Sequence, residues 1–512
     1  MSQEPFDFAQ DRPFDPSASL RAAPFDLLIR GGAVIDGTGA AAVPADVAVR
    51  GDRIAAVGRV DGGALRTIDA SGLVVAPGFI DVHAHDDAAV MTTPMDFKLM
   101  QGVTTDIVGN CGAGIAPADE PVRRALEAGF EATVLGPAPE VTWRTFGEYM
   151  LAVEESRPAV NVGFLVPHGV VRTCVLTRER RAPQPAELAA MRERVAEGMA
   201  AGALGLSTGL IYEPGRYAET EEVIELAKAA AEYGGVYVTH MRNESAQLME
   251  ALAEAVRIGR EAGLPLQVSH HKASDPANWG KTRDSIRYIE EQRAAGLDIT
   301  FDVYPYTAGS TILAAMTHVQ EEPDPEMVMV ASVKGGPEFE GKTLGQIAVA
   351  LGTRPAEAVQ RVLARDGGAV AIFFMMDEAD VERVIRHPLC MIGSDGIPSP
   401  GGKPHPRLYG TFPRVLARYV REKRLLTLEE AVRKMTSLPA GRFQLRQRGQ
   451  IQAGWFADLV VFDPKTVEDK ATYEEPRQYP IGIECVIVNG LVAAESGRQQ
   501  TVRAGRVLRR DQ

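Results

Sequence analysis

The chain has 512 residues, of which 45% are hydrophobic and 24% charged, and its formal net charge is −13. This composition is typical of a globular protein and excludes a wholly disordered, collagen-like or coiled-coil chain. The acidic balance argues against general binding to nucleic acids or anionic membranes, because phosphate groups require a basic surface. The 4 cysteines are far apart and form no Cys-x-x-Cys pair, which favours a cytoplasmic protein without structural disulfides.

The two ends of the chain carry similar patterns of short strands. Residues 1–24 are rich in Asp, Pro and Ser without any period, which predicts a flexible tail. Alternating runs with Gly and Asp turns then follow, such as FDLLIRGGAVIDG and ADVAVRGDRIAAVG, and a matching pattern returns near the C-terminus in FADLVVFD and IECVIVNGLVAAESG. We therefore predict one small β-sandwich domain formed by residues 25–79 and 440–512.

The middle of the chain, residues 80–439, alternates apolar runs with segments of helical period. Eight runs are strand-like: GFIDVHAH, TTDIVGN, NVGFLVPHG, ALGLSTG, GVYVTH, PLQVSH, DITFDVYPY and LCMIGSD. Strands that alternate with helices in this number predict an α/β fold, a (β/α)8 TIM-like barrel whose strands are buried on both faces. The stretch from about 307 to 370 is too long for an ordinary loop and predicts an inserted subdomain that acts as a lid.

Side chains with metal-binding chemistry follow five of the predicted strands. They are His83, His85, Cys111, His240, His270 and Asp395. Catalytic groups of such barrels come from the carboxyl ends of the strands, and imidazole, thiolate and carboxylate are the donors that zinc prefers. An isolated His-x-His pair is more often a surface or core pair, but so many donors at the strand ends of one barrel predict a metal site.

Longer motifs add a family resemblance. APGFIDVHAHDD resembles the amidohydrolase superfamily, and GVTTDIVGNCG, GALGLSTGLIYEPGRYAETEEV, THMRNE, VSHHKA, DVYPYTAGST, IGSDG and PHPRLYGTFPRVL are similar to the N-acyl-D-amino-acid deacylases, or D-aminoacylases. The resemblance covers roughly residues 25–512. It implies zinc-dependent hydrolysis of a small-molecule N-acyl-D-amino acid to a carboxylate and a free D-amino acid.

The resemblance also implies the metal ligands. These are Cys111, His240 and His270 for a tight zinc site, and His83, His85 and Asp395 for a second, weaker site. Hydantoinase-like relatives bridge two metals with a carboxylated lysine at the end of the fourth strand, and no lysine occurs here between Lys98 and Lys228. Cys111 stands at the position of the family's bridging cysteine; its neighbours alone favour a small buried residue in a glycine-rich turn.

The implied reaction is attack on the amide by a zinc-activated water, because zinc lowers the pKa of bound water to roughly 7. In this hypothesis Asp395 accepts a proton from that water and delivers it to the leaving amine. The hydroxyl of Tyr212, in the motif YEPG, is a candidate for stabilising the carbonyl oxygen, with ordinary loop packing as the alternative.

An N-acyl amino acid carries a free carboxylate that needs a cationic partner. By resemblance, Arg407, Lys272 and Tyr304 form this clamp, and Ser310 is a further candidate. Arginine offers a planar fork suited to a carboxylate, whereas lysine supplies a point charge. The alternative for Arg407 is a solvated surface arginine.

The substrate side chain is predicted from the absence of a second cation. An acidic side chain would need one, and no arginine occurs between Arg293 and Arg354, where the insertion begins. The run FFMM at residues 373–376 is apolar and lies near the predicted barrel mouth, although a core strand explains it equally well. We therefore predict neutral apolar substrates of D-Met, D-Leu or D-Phe. The alternatives are an N-acyl-D-Glu or D-Asp deacylase, a D-dipeptidase, or a non-catalytic binding protein, which the complete donor set disfavours.

Overall fold

A computed structural model of the protein describes residues 25–127, 136–137, 139–316, 324–399 and 401–510. The predicted tail, residues 1–24, lies outside the described residues. The strands, numbered in chain order, are β1 (Phe25–Val34), β2 (Val43–Arg50), β3 (Arg53–Gly58), β4 (Ala64–Asp69), β5 (Val74–Pro77), β6 (Phe79–Asp81), β7 (Val103–Val108), β8 (Asn161–Pro167), β9 (Gly205–Gly209), β10 (Val236–His240), β11 (Leu266–Val268), β12 (Ile299–Val303), β13 (Gly309–Ile312), β14 (Val328–Ser332), β15 (Val370–Phe373), β16 (Cys390–Ile392), β17 (Leu459–Phe462), β18 (Ile483–Val488), β19 (Leu491–Glu495) and β20 (Arg498–Gln499).

Helices fill most of the connections between these strands. The α-helices of the described residues are Ala89–Thr92, Asp96–Leu99, Glu120–Glu127, Phe146–Ser156, His168–Leu176, Pro185–Ala200, Thr220–Ala231, Leu248–Ala262, Thr282–Ala294, Leu313–Met316, Leu344–Leu351, Pro355–Arg365, Glu378–Arg386, Arg407–Arg414, Leu428–Met435 and Ser437–Arg442. None of the helices in the described ranges is long and apolar enough to cross a membrane.

Eight parallel strands form a nearly closed barrel. The sheet runs β6 to β12 in chain order and then β16, so each strand pairs with its predecessor. The first and last strands meet just beyond their carboxyl ends, where Ala84 bridges Gly396 and the amide of Asp395 donates to the carbonyl of His83 at 2.7 Å. All residues of these strands are buried, which explains their unbroken apolar runs. The predicted α/β barrel is confirmed.

Both chain ends contribute to a separate, mostly antiparallel sheet of nine strands. Its order is β20-β19-β18-β17-β5-β1-β2-β3, with β4 beside β1. Side chains alternate between its two faces: Leu459 and Val461 of β17 pack in the core of this sheet, whereas Val460 and Phe462 pack into the barrel core. The predicted pairing of the two ends is confirmed, and the boundaries at residues 79 and 440 stay a prediction.

The long connection between β12 and β16 contains its own small sheet. Three antiparallel strands pair in the order β13-β15-β14, and the helices Leu344–Leu351 and Pro355–Arg365 cover them through a core that includes Val330, Ile347 and Val362. Because β13 follows β12 directly, residues of this subdomain lie at the carboxyl end of the barrel. The predicted limits, about 307–370, remain a prediction, and β15 continues the sheet to Phe373.

Candidate active site

Cys111 lies at the centre of a cluster of histidines at the carboxyl ends of the strands. Its Sγ atom is 3.2 Å from His83 Nε2, 3.5 Å from His270 Nε2 and 3.6 Å from His240 Nδ1. All four side chains are buried. The donor atoms of His83, Cys111 and His270 lie within 4.8 Å of one another, which is the spacing that a single metal ion needs.

Asp395 joins His85, the remaining histidine donor, to this cluster. Its Oδ1 atom is 3.1 Å from His85 Nε2 and 3.6 Å from His83 Nε2. These three residues form a second group of donors within 4.8 Å, and it shares His83 with the first group. The structure thus brings all six predicted ligands together, and their metal-binding roles remain a prediction.

The turn that carries Cys111 depends on the glycines around it. A Cβ atom on Gly109 would lie 2.2 Å from the carbonyl oxygen of Leu165, and one on Gly112 would lie 2.9 Å from the amide nitrogen of Gly209. Cys111 itself has a left-handed backbone with φ of 54°, which costs a non-glycine residue about 1–3 kcal/mol. The sequence GNCG therefore folds into a tight turn that presents the thiol to the surrounding histidines.

The same backbone conformation recurs at two other donors. His270 has φ of 33° and Asp395 has φ of 51°. Such strain persists only where surrounding contacts hold the residue, and it is concentrated at functional sites. For His270 one such contact is the amide hydrogen bond to Asp302 Oδ1, at 2.9 Å. The donor-bearing loops are therefore held in fixed orientations.

Electrostatics favour the thiolate form of Cys111. Burial by itself would raise the pKa of the thiol. The charge of His83 and hydrogen bonds from His240, His270 and His83 outweigh burial and hold the pKa well below its ordinary value. A thiolate is the form that binds metals.

Asp395 is likewise held in its charged form. Burial would raise the pKa of this carboxyl group, but the charges of Arg407 and His270 and a hydrogen bond from His85 hold it well below its usual range. Arg407 Nη1 lies 2.9 Å from Asp395 Oδ2. Burial would lower the pKa of His85, yet the hydrogen bond to Asp395 and the nearby thiolate raise it to about 9.

The chemistry of this donor set fits zinc. Four imidazoles, one thiol and one carboxylate face each other in a buried space at 3.1–3.6 Å. Zinc is bound by this combination of nitrogen, sulfur and oxygen donors, whereas magnesium and calcium prefer oxygen alone. A buried group of this kind is favourable only if a cation or protons balance its charge.

Glu244 is a site residue that the sequence analysis missed. Its carboxylate lies 2.7 Å from Lys272 Nζ, 3.0 Å from His270 Nδ1 and 3.4 Å from His240 Nε2. Burial would raise the pKa of Glu244, but the charges of Lys272 and the two histidines hold it well below its usual range. The available indication was an acid four residues after a predicted ligand, inside the motif THMRNE.

Asp302 is a second missed residue, because it lies inside a strand rather than after one. Besides the amide of His270, its carboxylate accepts a hydrogen bond from Gln267 Nε2 at 2.7 Å and lies 3.4 Å from His83 Nδ1. Buried carboxylates behind metal-binding histidines orient the rings. Asp302 therefore supports His83 and His270 from beneath.

The predicted carboxylate clamp is only partly open to the cavity beside the cluster. Lys272, Tyr304 and Ser310 line a cavity of about 40 Å³, together with His240 and His270. Arg407 is fully buried, so the alternative of a solvated surface arginine is wrong.

The Arg407 guanidinium lies 4.5 Å from the centre of the Tyr304 ring, and its Nη2 donates to the carbonyl of Ser310 at 3.0 Å. It is not among the residues that line the cavity. In this structure Arg407 therefore neutralises Asp395 and supports the clamp from behind.

Tyr212 lies where this cavity meets a second cavity of about 110 Å³ and lines both. Its ring packs edge-on against His240, with centroids 4.9 Å apart, and its hydroxyl accepts a hydrogen bond from Thr311 at 2.9 Å. Burial raises the pKa of Tyr212 well above its ordinary value, so the phenol keeps its proton. Its hydroxyl can therefore donate to a developing oxyanion.

The apolar run at residues 373–376 divides between core and cavity. Phe373 belongs to β15, Phe374 packs on Tyr473 with ring centroids 4.9 Å apart, and Met376 is buried near the Tyr304 hydroxyl. Met375 alone among the four lines the 40 Å³ cavity. The run thus contributes one apolar side chain to that cavity.

Comparison with known proteins decides the family. The model of the amidohydrolase family matches residues 66–352 and 287–494. The chain belongs to the amidohydrolase family. It is 43% identical over 498 residues to D-aminoacylase from Alcaligenes xylosoxydans xylosoxydans, covering 95% of this chain and 98% of that protein.

Solved structures place this family member in the N-acyl-D-amino-acid deacylase branch. A crystal structure of D-aminoacylase has 43% identity and a TM-score of 0.87, covering 95% of this chain and 100% of that one. N-acyl-D-glutamate deacylase from Bordetella bronchiseptica, complexed with zinc and a phosphonate inhibitor, has 42% identity, the same TM-score and the same coverage.

In this amidohydrolase, a fully buried lysine lies beneath the site and not at the end of the fourth barrel strand, which is β9. Lys98 is fully buried beneath the cluster, where its Nζ contacts Asp81, Asp86 at 2.9 Å and Asp106 at 3.3 Å. Asp81 in turn accepts a hydrogen bond from the amide of His83 at 3.1 Å. Lys98 therefore stabilises the floor of the site from below.

Proposed function

We propose that the protein is a cytoplasmic, zinc-dependent N-acyl-D-amino-acid deacylase, which cleaves the amide to a carboxylate and a free D-amino acid. The observation that carries the proposal is the buried cluster around Cys111, in a chain 43% identical to D-aminoacylase over nearly its whole length. The cytoplasmic location rests on cysteine usage, since all four cysteines are free thiols.

The predicted ligands form two zinc sites. The tight site is assigned to Cys111, His240 and His270, and the weaker one to His83, His85 and Asp395. When bound, zinc supplies a Lewis acid that lowers the pKa of a coordinated water to roughly 7.

Asp395 and Tyr212 carry out the proton transfer and the charge stabilisation. The charged carboxylate of Asp395 accepts a proton from the attacking water and delivers it to the leaving amine nitrogen. The protonated hydroxyl of Tyr212 donates a hydrogen bond to the carbonyl oxygen as negative charge develops there. Tyr212 lies next to His240, so donor and ligands share one side of the cavity.

The substrate carboxylate is bound in the 40 Å³ cavity, where Lys272, Tyr304 and Ser310 are exposed to it. A buried cation in a low-dielectric cavity attracts an anion far more strongly than a surface charge does. Lys272, which keeps Glu244 as its ion-pair partner at 2.7 Å, and the bound zinc therefore supply the local positive charge for an anionic substrate in a chain with a net charge of −13. Carboxylate and carbonyl, held at two points, leave a single direction for the side chain on Cα, which accounts for selection of one enantiomer.

The substrate side chain is proposed to be neutral and apolar, as in D-Met, D-Leu or D-Phe. Ile211 and Met375 line the clamp cavity, and the described lining contains no arginine. The alternative is an acidic side chain, because N-acyl-D-glutamate deacylase from Alcaligenes xylosoxydans xylosoxydans is also 43% identical.

The test is hydrolysis by the zinc-loaded enzyme of N-acetyl-D-Met, N-acetyl-D-Glu, N-acetyl-L-Met and a D-dipeptide. We expect kcat/KM for N-acetyl-D-Met to exceed that for N-acetyl-D-Glu by at least about 100-fold, because burying an unpaired carboxylate is costly. A preference for N-acetyl-D-Glu would replace the apolar assignment and keep the reaction. Absence of hydrolysis of every N-acetyl-D-amino acid would overturn the proposed function.

The substitution Glu244→Gln tests whether the carboxylate of Glu244 supports the metal site. We expect kcat/KM to fall about 10- to 100-fold and zinc affinity to weaken, because a neutral amide at this position cannot balance the charge of Lys272 or orient His270 and His240 as a carboxylate does. Chelator competition measures zinc affinity and steady-state kinetics measures turnover. The control is Glu250→Gln, in the first turn of the helix Leu248–Ala262; equal effects of the two substitutions would contradict a role for Glu244.

A further inference from the structure

The 110 Å³ cavity adjoins the clamp cavity and shares Tyr212, Ser310, Thr311 and Asp395 with it. Its lining includes Cys111 and His85 but neither Lys272 nor Tyr304. The clamp cavity, by contrast, includes Lys272 and Tyr304 but neither Cys111 nor His85. When the substrate carboxylate lies in the clamp and its carbonyl lies at the cluster, the 110 Å³ cavity therefore extends beyond the carbonyl carbon.

The covalent structure of an N-acyl amino acid determines which substituent enters that space. The carboxylate and the side chain are both attached to Cα, on the amine side of the scissile bond. The acyl group is attached to the carbonyl carbon on the opposite side. Tyr212 and Asp395, the proposed donor to the carbonyl and the proposed proton carrier, line both cavities, as do Ser310 and Thr311, so the scissile bond is placed where the two cavities meet.

The lining of the larger cavity is mainly apolar beyond the cluster. It includes Val122, Ala125, Val170, Ile312 and Ile397. Val122 and Val170 are buried, while Ala125 and Ile312 are half-buried. Two oppositely charged residues, Arg178 and Glu213, also line it. The cavity thus offers an apolar surface and one charge of each sign.

The size of this cavity exceeds the needs of an acetyl group. About 10–15 Å³ of such space holds one water molecule, and a methyl group is of similar size, whereas the cavity measures about 110 Å³. An acetyl methyl group would leave most of this apolar space filled by water. A longer alkyl chain would displace that water and bury apolar surface, which is favourable.

We propose that this cavity binds the acyl chain of the substrate and selects unbranched aliphatic acyl groups of about four to eight carbons over acetyl. The inference rests on the proposed function and specifies which acyl groups the N-acyl-D-amino acid substrate carries. Val122 and Ala125 come from the helix Glu120–Glu127, and Ile312 from β13 of the inserted subdomain. Segments of the chain outside the barrel strands therefore determine acyl-chain length.

The first test compares N-acetyl-, N-butanoyl-, N-hexanoyl- and N-succinyl-D-Met with the zinc-loaded enzyme. We expect kcat/KM for the hexanoyl substrate to exceed that for the acetyl substrate at least about tenfold, since one methylene in an apolar pocket alone is worth about tenfold or more. Equal or falling values along the series would overturn the inference while leaving the deacylase function intact. A preference for succinyl would also overturn it and would instead indicate anion binding at Arg178. If no N-acyl-D-Met is hydrolysed but N-acetyl-D-Glu is, the same series is made on D-Glu.

The second test alters the cavity wall. Ala125→Leu adds three carbon atoms at the cavity, so we expect the ratio of hexanoyl to acetyl kcat/KM to fall at least about tenfold. Arg124→Leu, on the exposed side of the same helix, is the matched control and should leave the ratio unchanged. Ile312→Ala enlarges the cavity and should shift the preferred chain length upward. An unchanged ratio in both Ala125→Leu and Ile312→Ala would place the acyl chain elsewhere.

Discussion

Replacing Cys111 with alanine is expected to remove the tightly bound zinc and to lower kcat/KM by more than about 100-fold. Removal of a residue that only hydrogen-bonds to a metal ligand already lowers metal affinity or activity about 10–100-fold. Cys111 lies at the centre of the cluster, so its removal is expected to have a larger effect. Its Sγ lies within 3.6 Å of three histidines. Without the thiolate, these imidazoles lose the negative charge that balances a cation among them.

The matched control for this substitution is Cys485→Ala. Cys485 is also buried, but it lies in β18 of the terminal sheet, where burial raises the pKa of its thiol to about 12. We expect this variant to keep full zinc content and full turnover. Metal analysis of the purified proteins measures their zinc content, and steady-state kinetics on an N-acyl-D-amino acid measures their turnover. If Cys111→Ala retained one tight zinc and normal turnover, Cys111 would not be a ligand.

Replacing Lys98 with methionine is expected to destabilise the fold by about 3–5 kcal/mol, the cost of removing one partner from a buried ion pair. Burial would lower the pKa of Lys98, but Asp106, Asp81 and Asp86 raise it well above its ordinary value. Burial also raises the pKa of Asp106 well above its ordinary value, against the opposing effect of the Lys98 charge. Methionine fills similar space but leaves these carboxylates without a cation.

The readout for this prediction is the apparent melting temperature. The unfolding entropy is about 2.1 cal/mol/K per residue, so in a chain of this length each loss of about 1 kcal/mol in unfolding free energy lowers the melting temperature by about 1 °C. We therefore expect the melting temperature to fall by about 3–5 °C. Lys470→Met is the control, because Lys470 pairs with Glu468 at the surface and should change stability by less than about 0.5 kcal/mol. Equal melting temperatures for the two variants would show that the buried acids need no cation.

Most of the metal cluster was predictable because parallel strands end at one edge of a barrel. His83, Cys111, His240 and Asp395 are far apart in sequence, yet each lies at or just after the carboxyl end of a strand. Once the strands were recognised from their apolar runs, the meeting of these donors followed from topology. The branch of the family was predictable from the longer motifs around them.

The supporting residues were not predictable in the same way. Glu244 lies in a loop and Asp302 inside a strand, and a charged residue in either place is usually assigned to the surface or to the core. Arg407 stands in a Pro-rich segment typical of a surface loop, but the structure buries it against Asp395. These contacts depend on side-chain directions across strands and loops that are distant in sequence.

The amino-acid sequence alone determined the barrel, the pairing of the two chain ends, the family and the identity of the six donors. Periodicity, strand order and residue chemistry are local properties that survive without coordinates. Only the tertiary structure decided which acid supports which histidine, that Lys98 neutralises acids beneath the site, and that a cavity extends beyond the carbonyl position. Those features are set by distances between non-neighbouring elements, and packing fixes such distances to within fractions of an ångström only when the whole chain has folded.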